Sequence, residues 1–327
     1  MNSRLSLALS GGAVALPDGR VVLFRPPADL DLDGLPDGVV AMQGFRPDHD
    51  ALAARGVDVM AEVGGPADAA VVFVARSKAL TRDMIARACA LVPAGNPVVV
   101  DGARADGIDS IVRDCRAVFD VGEVFAKAHG KCFSFPSGPA PDGWSAATQR
   151  VDGMETRAGV FSADGVDPGS AILARHITGL SGQVCDLGAG WGYLSRVVLT
   201  SDKISRCALL EAEHDALACA RGNVTDPRAE FHWADATTWA GGPFDTVVTN
   251  PPFHTARKAD PSIGRAFIAA AGRLLTPAGR LIMVANRHLP YEAALGETFA
   301  ETVVVEDTGG YKVIEARRPR RTRGRSR

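Results

Sequence analysis

The 327-residue sequence contains no apolar run approaching the roughly 20 residues needed to cross a bilayer, so no membrane-spanning helix and no membrane partner are expected. The stretch from Met1 to Ala15 is broken by Gly11 and Gly12, unlike a secretion signal, and the expected location is the cytoplasm. No C-x-x-C pair occurs among Cys89, Cys115, Cys132, Cys185, Cys207 and Cys219. Such spacing fits neither a zinc site nor a disulfide framework, so reduced, buried thiols and no bound metal are expected. Acidic residues are missing from the last eleven positions, which instead hold seven arginines (Arg317, Arg318, Arg320, Arg321, Arg323, Arg325 and Arg327). Without these seven charges the formal net charge falls from −2 to −9. A basic tail on an acidic body can neutralise phosphates, or it can be a solvated end with no specific partner.

What is present is globular. Hydrophobic residues at 46 % and charged residues at 23 % exclude a wholly disordered or fibrous chain, and the length suits two domains with a core each. Two stretches alternate apolar strands with helical patterns, as parallel sheets flanked by helices do. Between them lies Ser137 to Gly143, in which Pro and Gly supply four of seven residues; it is the linker candidate. The halves also repeat an order of elements. A strand at 244–249, a helix at 264–275, Thr276-Pro277-Ala278-Gly279 and a strand at 281–284 match a strand at 70–74, a helix at 81–91, Val92-Pro93-Ala94-Gly95 and a strand at 98–100. This points to duplication, with domains expected at 1–138 and 139–316 and the basic segment at 317–327 as a disordered tail.

The halves differ where chemistry would sit. After a short strand at 183–186, Asp186-Leu187-Gly188-Ala189-Gly190-Trp191-Gly192 leads into a helix at 193–199. Glycines at 188, 190 and 192 permit a sharp turn at a strand end and close approach of a ligand, although a tight strand-to-helix turn needs the same residues. The G-x-G-x-x-G spacing of a dinucleotide site fails, because its last glycine would fall on Tyr193 or Ser195. A second strand ends at Glu211, placing a carboxylate beside the turn, where it can accept from two ribose hydroxyls. A third strand at 230–233 is followed by Asp235, suited to an adenine amino group or equally to capping a helix. After the fourth strand the second half has Asn250-Pro251-Pro252-Phe253, whereas the first has Ala75-Arg76-Ser77-Lys78 and no triple-glycine turn.

Together these motifs resemble the class I S-adenosylmethionine-dependent methyltransferases that modify planar exocyclic amino groups. Gly159 to Ser170, His254, Val284 to Tyr291 and Gly310 to Val313 extend the likeness to the guanine-N2 methyltransferases of ribosomal RNA, the small-subunit methyltransferase C family and its large-subunit counterpart. The resemblance is specific over 159–316 and covers the first half only by element order and length. It implies an α/β fold with two tandem Rossmann-like methyltransferase domains, the first degenerate, the second a seven-stranded sheet with an antiparallel last strand. A closing hairpin at 302–305 and 311–314, turning at Gly309-Gly310, suits that sheet. Departures are Glu211 in place of the commoner aspartate, the bulky Trp191 within the turn, and the arginine tail.

The resemblance implies Asp186, Gly188, Gly190, Gly192, Glu211 and Asp235 as cofactor-binding residues for S-adenosylmethionine, and Asn250, Pro251 and Phe253 as catalytic residues. The lone pair of a guanine amino group is delocalised into the ring, and its nitrogen gains positive charge as it attacks. Acceptance of its two N–H bonds by the Asn250 side-chain oxygen and the Pro251 carbonyl would aim that lone pair and stabilise the charge. Two consecutive prolines restrict the backbone that carries the carbonyl, and Phe253 offers a face for stacking, worth about 1–3 kcal/mol. His254 needs no role as a base. The expected partner is ribosomal RNA or a ribosomal subunit, met by a monomer. Rival readings are a methyltransferase of protein glutamine or of adenine N6, a non-catalytic RNA-binding assembly factor, and a nicotinamide oxidoreductase.

Overall fold

The computed structural model describes residues 3–252 and 261–320. The chain forms two compact units, one comprising residues 1–148 with 157–159 and the other 149–156 with 160–327. The Pro/Gly stretch from Ser137 stays in the first unit. Beyond it, Trp144 is buried edge-on to Phe119 and the backbone N–H of Ala146 donates to Asp83 Oδ1, anchoring the segment there.

In the first unit, strands β1 (Val21–Phe24), β2 (Val39–Met42), β3 (Asp58–Met60), β4 (Ala69–Phe73), β5 (Pro97–Ala103), β6 (Phe125–Lys127) and β7 (Gly130–Pro136) form one sheet in the order β3-β2-β1-β4-β5-β7-β6. Helices α1 (Arg4–Ser10) and α2 (Arg46–Ala54) cover one face, through Leu5 and Leu52. Helices α3 (Lys78–Leu91) and α4 (Ile108–Arg116) cover the other, through Met84, Ile85, Ile108 and Ile111. Val21–Phe24 and Ala69–Phe73 are buried throughout, the pattern of parallel strands covered on both faces.

The second unit opens with a small hairpin, β8 (Gln149–Val151) and β9 (Met154–Thr156). Its main sheet contains β10 (Gly182–Leu187), β11 (Ile204–Glu211), β12 (Ala229–Trp233), β13 (Phe244–Thr249), β14 (Leu275–Asn286), β15 (Phe299–Thr308) and β16 (Tyr311–Pro319), in the order β12-β11-β10-β13-β14-β16-β15. That is the order of the first sheet, element for element. In each unit the last strand in sequence inserts antiparallel between its two neighbours. Helices α5 (Pro168–Ala174), α6 (Tyr193–Val198) and α7 (His214–Asn223) pack Leu173, Leu194, Val198 and Ala220 on one face. Helices α8 (Pro261–Leu274) and α9 (Glu292–Thr298) pack Phe267, Leu274 and Leu295 on the other.

Two boundaries differ from the sequence reading. Thr276 to Gly279 lies within β14, because Leu275 pairs with Phe244 before a register shift aligns Arg280 with Thr246. Strand β16 continues past residue 316, since Arg317 is opposite both Arg280 and Glu301. Arg317 and Arg318 therefore belong to the sheet, and Arg321 onward lies outside the described residues. All six cysteines are free and buried, as their spacing suggested. Among the described residues, no helix is long and apolar enough to cross a membrane.

Candidate active site

Parallel pairing brings the motif residues to one edge of the second sheet. Asp186 is in register with Leu209 on one side and Val248 on the other, so the glycine turn, Glu211 and Asn250 leave the sheet at neighbouring strand ends. The turn is tied down by its neighbours. The N–H groups of Gly188 and Ala189 donate to the Leu210 carbonyl at 2.8 and 3.0 Å, and that of Gly190 donates to Glu211 Oε2 at 2.8 Å. Thr249 Oγ1 donates to the Leu187 carbonyl at 2.6 Å, joining the end of β13 to that of β10.

The three glycines serve different ends. All have positive φ, at 80°, 56° and 89°, a region side chains disfavour. A Cβ on Gly192 would lie 2.9 Å from Val224 Cγ2, and one on Gly188 would lie 3.1 Å from Phe267 Cε1, so these two permit packing within the protein. A Cβ on Gly190 would meet nothing within 4 Å. Here the turn faces open space.

That space is an open cleft at the strand ends. Gly188 and Gly190 line it together with Phe161, Asp167, Ser170 and Asn250. Asp186, Gly192, Glu211, Asp235 and Pro251 are not on its wall. Phe253 and His254 fall outside the described residues.

Asp186 is fully buried and accepts from Ser195 Oγ at 2.6 Å. Its Oδ1 is buried with no hydrogen-bond partner among the described residues. Burial pushes its carboxyl up to about 7; the charge of Glu211 adds to this, and the Ser195 hydrogen bond opposes it. Glu211 holds the turn from below, accepting from Gly190 N through Oε2 and from Glu213 N through Oε1, the latter at 2.8 Å. Burial raises its carboxyl as well, against the pull of these N–H donors. Asp235 accepts from both Thr237 N and Thr237 Oγ1, at 2.7 and 2.8 Å through Oδ1, the local capping arrangement.

The first unit keeps the same brace with opposite polarity. Gln43, immediately after β2, accepts from Phe45 N at 3.0 Å, as Glu211 does from Glu213 N. Its other branch is a donor, however, giving an N–H to the Pro26 carbonyl at 2.8 Å. Arg25, Pro26 and Pro27 follow β1 where the second unit has its glycine turn.

Asn250 is fixed through its nitrogen, which donates to Asp167 Oδ2 and to Ser170 Oγ, each at 2.8 Å. Pro251 is buried behind it. The sequence singled out neither Asp167 nor Ser170 as site residues. The available signal was a helix start, Asp167 followed by Pro168 at the first helical position. Lys312 and Arg287, basic residues near the closing hairpin, pair with Glu292 and Asp307.

The sequence pattern of the family described as "Methyltransferase small domain" matches residues 153–315. Ribosomal RNA small subunit methyltransferase C of Idiomarina loihiensis is 27 % identical over 335 residues, covering 95 % of this chain and 98 % of its own length. The protein of the same name from Cronobacter sakazakii is 29 % identical over 273 residues, covering 81 % and 80 %. Among solved structures, the 16S rRNA N2 G1207 methyltransferase of T. thermophilus, in complex with AdoMet and guanosine, superposes with a TM-score of 0.75. It is 25 % identical and the match covers 93 % of this chain and 90 % of that one. The chain is a class I S-adenosylmethionine-dependent methyltransferase. This methyltransferase has two domains of one strand order, and the glycine turn and the Asn-Pro-Pro motif are confined to its second copy.

Proposed function

We propose that this methyltransferase transfers the methyl group of S-adenosylmethionine to the exocyclic N2 amino group of a guanine in ribosomal RNA of the small subunit. The observation that carries the reading is Asn250, held by its amide nitrogen on the wall of the cavity that the glycine turn opens. We further propose that it works as a monomer in the cytoplasm. Oxidoreductase chemistry is disfavoured by the glycine spacing, and a purely binding role by the retention of Asp186, the three glycines and Asn250.

The residues fit the cofactor. Gly190 offers a backbone that a ligand can approach where a side chain would intrude, and the Asp186 Oδ1 beneath the turn is a buried acceptor in need of a donor. Gly188 and Gly190 would hold the methionine part against the turn. The carboxylate oxygens of Glu211 retain lone pairs for ribose hydroxyls after accepting one N–H each, and Asp235 would take the adenine amino group. Gly192 supports the site through packing. Bound there, S-adenosylmethionine supplies an electrophilic methyl group.

The remaining work falls to the loop after β13. Asn250 Oδ1 and the Pro251 carbonyl accept the two N–H bonds of the amino group, turning its lone pair toward the methyl and offsetting the positive charge that grows on nitrogen. Phe253 stacks on the base. The nitrogen loses one proton to water as the N–methyl product forms, so no general base is required. The guanine must be unstacked to enter, which favours a loop or a partly assembled subunit.

Transfer of tritium from labelled cofactor to small ribosomal subunits tests the reading, with label expected in N2-methylguanosine. Label in N6-methyladenosine or protein glutamine would overturn the substrate assignment, and no transfer would leave a binding factor. Asn250→Ala should retain cofactor affinity by calorimetry and lose at least about a hundredfold in turnover, the scale of one preorganised transition-state group. Wild-type turnover in that variant would remove Asn250 from the mechanism.

A further inference from the structure

The way Asn250 is held carries more than its own role. Asp167 and Ser170, each only 8 % exposed, come from the start of α5. An ionised carboxylate only accepts hydrogen bonds, so the atom 2.8 Å from Asp167 Oδ2 must be an N–H donor, and the orientation of the Asn250 amide follows from chemistry alone. The second N–H goes to Ser170 Oγ. With both donors engaged on one side, the amide oxygen is directed away from this pair.

Asp167 has little freedom to move. The Ser170 N–H donates to the same Oδ2 at 2.8 Å, and Pro168 fixes the backbone at the first helical position. A Cβ on Gly169 would lie 3.0 Å from both Asp167 Oδ2 and Tyr311 Cε1, so a side chain there would press on the carboxylate and on the aromatic ring of β16.

We infer that Asp167 and Ser170 are positioning residues for methyl transfer, setting Asn250 nitrogen-inward so that its oxygen receives the amino group of the base. This rests on the function proposed above. The charge of Asp167 also polarises the amide through its N–H, making the oxygen a stronger acceptor as the substrate nitrogen becomes positive. Capping of α5 is a separate duty of the same carboxylate, so the test must distinguish the two.

Asp167→Asn keeps an oxygen for the cap but removes the charge, and Ser170→Ala leaves the cap untouched while deleting one acceptor. Each should lower the single-turnover rate on small subunits about tenfold, with cofactor Kd and Tm unchanged. Asn250→Asp alone sets two carboxylates against each other and should lose at least about a hundredfold. Wild-type rates in Asp167→Asn and Ser170→Ala would overturn the inference. So would rate losses that track Tm. A readout without substrate separates this from the function itself. The Asn250 side-chain amide protons, followed by nitrogen-15 NMR, should both exchange slowly in the wild type, and one should become fast in Ser170→Ala. Unchanged exchange would refute the anchoring even if guanine proved to be the wrong base, whereas methylation of another amine with the exchange pattern intact would refute only the substrate.

Discussion

Burial sets Asp186 apart from an exposed carboxyl. Its carboxyl ionises near 3.8 in an unfolded chain and at about 7 in the folded one, so between these values the folded protein holds a proton that the unfolded chain has released. This contribution to stability is complete below the lower value and declines as the pH rises through the upper one. The Tm of the ligand-free protein should therefore fall between about pH 4 and pH 7, and Asp186→Asn, which keeps an oxygen for Ser195, should flatten that fall in thermal unfolding. Parallel profiles for the two proteins would count against the assignment. Asp186, Glu211 and Asn250 were legible from the sequence because each is a distinctive residue type at the end of an apolar run. The partners of Asn250 were not, since Asp167 lies 83 positions away and meets it only once α5 packs on the folded sheet. Asp235 stood between two readings, and its bonds to Thr237 describe the capping arrangement while leaving the adenine contact a proposal.

Elements were legible where burial is two-sided. The strand at 244–249 appears with the limits its apolar residues imply, and the closing hairpin turns at Gly309-Gly310. The hairpin of β8 and β9 was not foreseen, because Gln149 to Thr156 is largely polar and carries no strong alternation. Helix α8 illustrates packing overriding propensity. Replacing a helical glycine by alanine ordinarily gains about 1 kcal/mol. At Gly264, however, the added Cβ would lie 2.0 Å from Tyr291 Oη and 2.2 Å from its Cζ, and that ring is fully buried. Overpacking of this kind costs about 1–3 kcal/mol, so Gly264→Ala should lower stability in denaturant unfolding despite its better helix former. A stabilised variant would show that Tyr291 moves aside.

For the whole molecule, the repeated helix, Pro-Ala-Gly and strand were a thin sign of duplication, and the identical order of two seven-stranded sheets is a full one. The copies diverged at their strand ends, where a few residues decide ligand chemistry, and kept the buried strands that decide folding. Gln43 shows how. In the second unit an acid supports a loop through that loop's N–H; in the first, a proline has removed such a donor, and an amide supports the loop through its carbonyl instead. The brace thus persists with donor and acceptor exchanged, and a carboxylate cannot take the place of Gln43 without loss. Gln43→Glu would confront the Pro26 oxygen with a second oxygen and no hydrogen between them, at a site 2 % exposed, costing roughly 1–3 kcal/mol in unfolding experiments. Calorimetry on that variant should still find one cofactor per chain. With Pro26 and Pro27 in place of amide donors, an acid after β2 would find no N–H there to steady, so one substitution does not make this loop a cofactor turn.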